Sequence, residues 1–162
     1  MEYEQNIPFY ITKFRDYPWK IYESDHYIFH VEAESLANKE IEEIKNRQEF
    51  AYVKITQTLE LKDPEQKIKY YFYPSQDKKA ELMGDGWYGQ SIYKEFEVHA
   101  VYNEKDKVVG EHEDTHLLTL EKNIKLFEEV AGKDLDLILF FNLGTDDFYL
   151  SQIFANFFQF YK

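Results

Sequence analysis

Apolar and polar residues alternate in three stretches of this chain and recur at helical spacing in others. Tyr27, Phe29 and Val31 alternate with Ile28 and His30, and Lys67–Tyr73 sets Ile68, Tyr70 and Phe72 on one side. Tyr93–Tyr102 places Phe96, Val98, Ala100 and Tyr102 opposite Glu95, Glu97, His99 and Val101. A period of two is that of a strand. Between the first two strands, Ala37, Ile41, Ile44, Ala51, Ile55 and Leu59 keep the spacing of one long helix, from an N-cap at Ser35 to about Leu61. Glu40, Glu42, Glu43, Lys45 and Arg47 form its solvated face. A short helix is expected over Gln76–Met83, closed by Gly84, and residues 84–91 read as a mobile aromatic loop around Trp87 and Tyr88. Residues 1–20, with Pro8 and Pro18, read as an irregular lead-in, and Asn103–Lys107 as a polar turn. From Val108 a helix runs through Leu117, Leu118 and Leu120. A second is expected at Ile124–Ala131, then an apolar stretch Leu135–Phe141 and an aromatic helix from about Ser151. That last pattern runs to Lys162 without a stop signal, as in a chain cut short.

The helix that opens at Val108 carries His112-Glu113-Asp114-Thr115-His116, which satisfies H-E-x-x-H. Histidines four apart lie one above the other on a helix, roughly 5–6 Å apart at Cβ, so both imidazoles can reach one cation. The glutamate after the first histidine then lies beside the cation's open position, where it can take a proton from zinc-bound water. Catalytic zinc takes a third protein ligand. Thr119 and Lys122 exclude the extended glycine-and-histidine form of the motif, and the absence of cysteine excludes thiolate ligands. The candidates are Glu121, Glu128, Glu129, Asp134, Asp136, Asp146 and Asp147. Glu128 shares the apolar stripe of Ile124, Phe127, Ala131 and Leu135, where a carboxylate is costly unless paired, while Glu129 falls on the solvated side.

Strand, long helix, strand, strand and metal helix is the order of the zincin architecture, an α+β fold in which a backing helix and the metal helix pack on a twisted sheet. Tyr93–Tyr102 would be the edge strand bordering its cleft, able to pair with an extended peptide. Val109-Gly110-Glu111-His112-Glu113-Asp114-Thr115-His116-Leu117-Leu118-Thr119 resembles the core of the gluzincin-like "peptidase MA-like" zinc metallopeptidases. In that family an E-G-x-A segment follows and supplies a glutamate ligand. Phe127-Glu128-Glu129-Val130-Ala131 matches it at the glutamate and alanine and departs at Glu129. The resemblance, over roughly residues 20–162, implies His112, His116 and Glu128 as zinc ligands and Glu113 as general base. Gly144-Thr145-Asp146-Asp147 resembles instead the G-T-x-D segment of aspzincins, which would make Asp147 the third ligand. Tyr88, His99, Tyr102 and Tyr149 are open candidates to stabilise an oxyanion.

Composition narrows the partners. With 14 Tyr, 14 Phe and 162 residues, the chain can bury a real core, and one zincin-like domain over residues 21–162 is expected. A formal charge of -12 with no Lys/Arg cluster argues against nucleic acid and against an anionic membrane surface. No segment approaches twenty apolar residues, and the first residues carry no signal-peptide pattern, so a soluble, by default cytoplasmic, protein is expected. The expected function is zinc-dependent hydrolysis of a peptide or protein substrate, with Zn2+ as cofactor. The alternative is an inactive zincin-like binding module that keeps the scaffold.

Overall fold

Strand propensity and pairing set the centre of the molecule. The computed structural model describes residues 12–92 and 95–119. Contacts divide the chain into two units, Met1–Leu118 and Thr119–Lys162, and the fold below is that of the first. A 3-10 turn, Lys13–Asp16, leads into β1 (Lys20–Glu23) and β2 (Tyr27–Val31). Then come α1 (Leu36–Lys39), α2 (Ile41–Thr58), β3 (Ile68–Tyr73), α3 (Gln76–Met83), β4 (Gly89–Ile92), β5 (Glu97–Val101) and α4 (Glu111–Leu118). The fold is α+β, with a five-stranded open sheet in the order β1-β2-β3-β5-β4. β2, β3 and β5 run parallel, while β1 and β4 pair antiparallel at the two ends. Among the described residues, no helix is long and apolar enough to cross a membrane.

Side chains alternate across this sheet into two cores. One face buries Tyr27, Phe29, Val31, Tyr70, Phe72, Val98 and Ala100 against α1, α2 and α4. The other buries Tyr71 and Tyr73 with Phe14, Leu82 and Met83, from the 3-10 turn and α3. On the first face, side-chain size falls towards β4. Phe29, Tyr70, Val98 and Ser91 make one row across the strands, and Val31, Phe72, Ala100 and Gly89 the next. Aromatics fill the β2–β3 side, and the small residues of β5 and β4 leave depth for α4.

The long helix starts as expected and then breaks. Ser35 Oγ accepts from Asn38 N at 3.2 Å, but α1 ends at Lys39, and Glu40 (ψ 17°) separates it from α2. The Glu40 carboxylate, expected on the solvated face, accepts from Tyr102 Oη and Lys107 Nζ, each at 2.7 Å. Along α2 the buried stripe is Ile41, Ile44, Gln48, Ala51, Tyr52 and Ile55, with one amide among apolar neighbours.

Three expectations need correction. Tyr93–Tyr102 is not the edge strand: its strand is β5, which is interior, and all five of its residues are buried on both faces. The edges are β1 and β4, and β4 begins inside the stretch read as a loop, at Gly89. The lead-in gives way to a strand that was not expected, β1, whose first residue, Lys20, already pairs with Val31. The helix begins at Glu111, not Val108: Lys107 bridges back to Tyr102, and Gly110 adopts φ +99°, a conformation open to glycine that ends the extended segment.

Candidate functional site

Helix α4 is fixed from behind before it presents anything in front. Residue 114 lies about 200° round the helix from residue 112, so Asp114 faces the core together with Leu117 and Leu118. It is fully buried, and three donors converge on it: Tyr27 Oη at 2.5 Å, Tyr70 Oη at 2.7 Å and Gln48 Nε2 at 3.1 Å. Burial pushes its carboxyl up to about 7 against the pull of the two tyrosine hydroxyls. Gln48 also accepts from the backbone N–H of Gly110 through Oε1. A single α2 amide therefore holds both the start of α4 and its buried anchor.

The opposite face of α4 brings His112 and His116 together. Their ring centroids lie 4.9 Å apart with planes at 85°. Two imidazoles bound through one nitrogen each, at about 2.0–2.1 Å, to a common tetrahedral zinc would have centroids roughly 5 Å apart, close to the separation of this pair. His112 is exposed and His116 half-buried. Burial holds His116 below its ordinary value; Glu113 opposes that shift and His112 adds to it. A neutral imidazole is the form that ligates a metal.

Glu113 sits between the histidine pair and the edge strand. Its Oε1 lies 3.9 Å from His112 Nε2, and its Oε2 accepts from Ser91 Oγ at 2.6 Å. Gly89, two residues before Ser91 on β4, faces the same carboxylate. A Cβ there would fall 2.7 Å from Glu113 Oε1 and 3.1 Å from Val108 Cγ1. Between them Gln90 points to the other face of the sheet and accepts from Lys79 Nζ at 3.3 Å, while Lys79, itself fully buried, pairs with Asp85 at 2.5 Å.

Of the residues expected in the site, His112, Glu113 and His116 come together. Glu128 and its rival Asp147 lie outside the described residues, as does Tyr149. Among the described residues, no group of three or more His, Cys, Asp or Glu side chains could hold a metal. Two oxyanion candidates are engaged elsewhere. Tyr73 Oη meets His99 Nδ1 at 2.8 Å, burying His99 on the far face of the sheet, and Tyr102 bonds Glu40. Tyr88 is 43% exposed, immediately before β4. The sequence reading missed Ser91, Gly89 and Asp114. The spacing of Asp114 with Leu117 and Leu118 was a usable signal for burial, whereas nothing around Ser91 or Gly89 marked them. Comparison with protein-family models, with curated proteins and with solved structures finds no match for this chain.

Proposed function

We propose that the chain is a zinc-dependent peptide-bond hydrolase of zincin type, with His112 and His116 as ligands, Glu128 as the third and Glu113 as general base. One observation carries the reading: two imidazoles 4.9 Å apart, with an oxygen of Glu113 3.9 Å from one of them. The order β2, α2, β3, β4, β5, α4, with α2 and α4 contributing to one core, supports the architecture. Zinc, when bound, supplies the Lewis acidity that acidifies water and polarises a carbonyl. The chain does the rest. His112 and His116 would hold the ion from consecutive turns of a helix that Asp114 and Gln48 anchor to the core. Glu113 takes a proton from the attacking water and delivers it to the leaving amine, so that water is added across the C–N bond. The polypeptide on which this acts would lie along edge strand β4.

A second reading, a zincin-like module that binds without cleaving, is favoured by Glu129, which stands where the family's segment has glycine. Zinc content and cleavage of a pool of internally quenched fluorescent peptides separate the two. Wild type is expected to hold one zinc and to cleave. Glu113→Gln should keep the zinc and lose cleavage, and His112→Ala should lose both. Glu128→Ala should lose zinc while Asp147→Ala keeps it; the reverse result moves the third ligand to Asp147. Zinc bound without cleavage in wild type selects the binding module.

A further inference from the structure

We propose that Ser91 is the positioning residue of Glu113, a role that rests on the reading of Glu113 as the base. Ser91 Oγ lies 2.6 Å from Glu113 Oε2 and 3.1 Å from the Glu113 carbonyl oxygen. A hydroxyl has one proton, and an ionised carboxylate is the stronger acceptor, so the proton goes to Oε2. This divides the work of the carboxylate. Oε2 is tethered to the edge strand, and Oε1 is left on the side of His112 Nε2, 3.9 Å away. A base that must meet a water beside the histidine pair needs one oxygen free and the other fixed.

The tether is itself held. Ser91 pairs with Val98 across β4–β5, and the adjacent Gln90 is engaged on the opposite face by Lys79. Gly89 supplies the remaining requirement, since any side chain there would occupy the space of Glu113 Oε1. Two alternate residues of one four-residue strand thus share a single carboxylate, one by binding it and one by making room for it. The helix is already fixed by Asp114 on its other side, so the Ser91 bond governs the Glu113 side chain more than the helix.

Two measurements test this. In the metal-free protein, a double-mutant cycle of Ser91→Ala and Glu113→Ala should be non-additive: the double variant should change the unfolding constant by about tenfold less than the two single changes combined, because both remove the same bond. With zinc bound, Ser91→Ala should keep the metal and KM while kcat falls on the order of tenfold to a hundredfold, as a displaced catalytic group does, and Ser91→Thr should restore it. Additive effects in the cycle, an unchanged kcat in Ser91→Ala, or a loss carried wholly in KM would each overturn the proposal. If the cycle is coupled but zinc-loaded wild type cleaves nothing, the contact is real and the base reading fails, taking the positioning role with it.

Discussion

Asp114→Ala is the sharpest perturbation of the arrangement that holds the histidines. The substitution removes an acceptor shared by three buried donors. Tyr27 Oη keeps a second partner, the Gln48 carbonyl at 3.1 Å, so two donors, Tyr70 Oη and Gln48 Nε2, are left without one. Each buried unsatisfied donor costs about 1–3 kcal/mol, or about 2–6 kcal/mol for the pair. Part of this is offset, because the variant no longer buries a carboxyl that burial already pushes up to about 7. The net destabilisation should be about 3 kcal/mol, a large fraction of a domain's usual 5–15 kcal/mol. Asp114→Asn keeps the shape and one acceptor, and the hydroxyls can turn to accept from its amide, so it should cost nearer 1 kcal/mol. Urea unfolding of metal-free protein at pH 7.5, with the slope checked for constancy, reads both values. An alanine variant within about 1 kcal/mol of wild type, or an asparagine variant less stable than alanine, would refute the convergence of donors as the anchor.

Two further outcomes follow from the packing around Glu113 and His99. Gly89→Ala places a methyl 2.7 Å from Glu113 Oε1, so the carboxylate must swing away; cleavage should fall at least tenfold with zinc content unchanged, and retention of full activity would show the space to be spare. Burial holds His99 below its ordinary value, so the unfolded chain takes up a proton first as pH falls through about 6.5, and stability should then decline by up to about 1.4 kcal/mol per pH unit. Burial pushes Glu97 up, but His99, Arg15 and Lys69 hold it below the ordinary carboxylate range, which adds a further loss below about pH 4.3. Wild type should therefore lose stability relative to His99→Gln between pH 7 and pH 5; parallel urea midpoints across that range would refute the assignment to His99.

What the sequence made legible was whatever a local pattern dictates. Tyr27–Val31 shows its strand by alternation and Ile68–Tyr73 by a run of strand-favouring aromatics, while Gln76–Met83 is a helix bounded by Ser75 and Gly84. Edge strand β4 was hidden because Gly89-Gln90-Ser91-Ile92 holds a single apolar side chain; its conformation comes from pairing with β5, whose partners are only known once the fold exists. Alternation in β5 was read correctly but its meaning was not. Glu97 and His99 fell on the face opposite the apolar one, yet that face is covered too: His99 stacks on Tyr71 at 4.8 Å and meets Phe14 edge-on at 4.7 Å. Polar letters in a strand covered on both sides report buried networks, not water. The histidine pair was visible because four residues on a helix fix the geometry alone. Ser91 was not, because its partner stands 22 residues away across a turn of tertiary structure.

The separations that tie Asp114 into the core have a consequence for assembly. Its bonds to Tyr27, Gln48 and Tyr70 span 87, 66 and 44 residues. Each closes a loop of that length, and parallel pairing of β2 with β3 is what sets Tyr27 and Tyr70 side by side. During synthesis, Tyr27, Gln48 and Tyr70 emerge first and wait for a carboxylate that arrives more than forty residues after the last of them. Until its bonds close, the histidines, which flank Asp114 by two residues on either side, belong to a short helix with no back wall and no fixed direction. The face of α4 that carries the two histidines is therefore among the last features of the unit to mature. A cation captured at that stage would report completed folding of the sheet, not assist it.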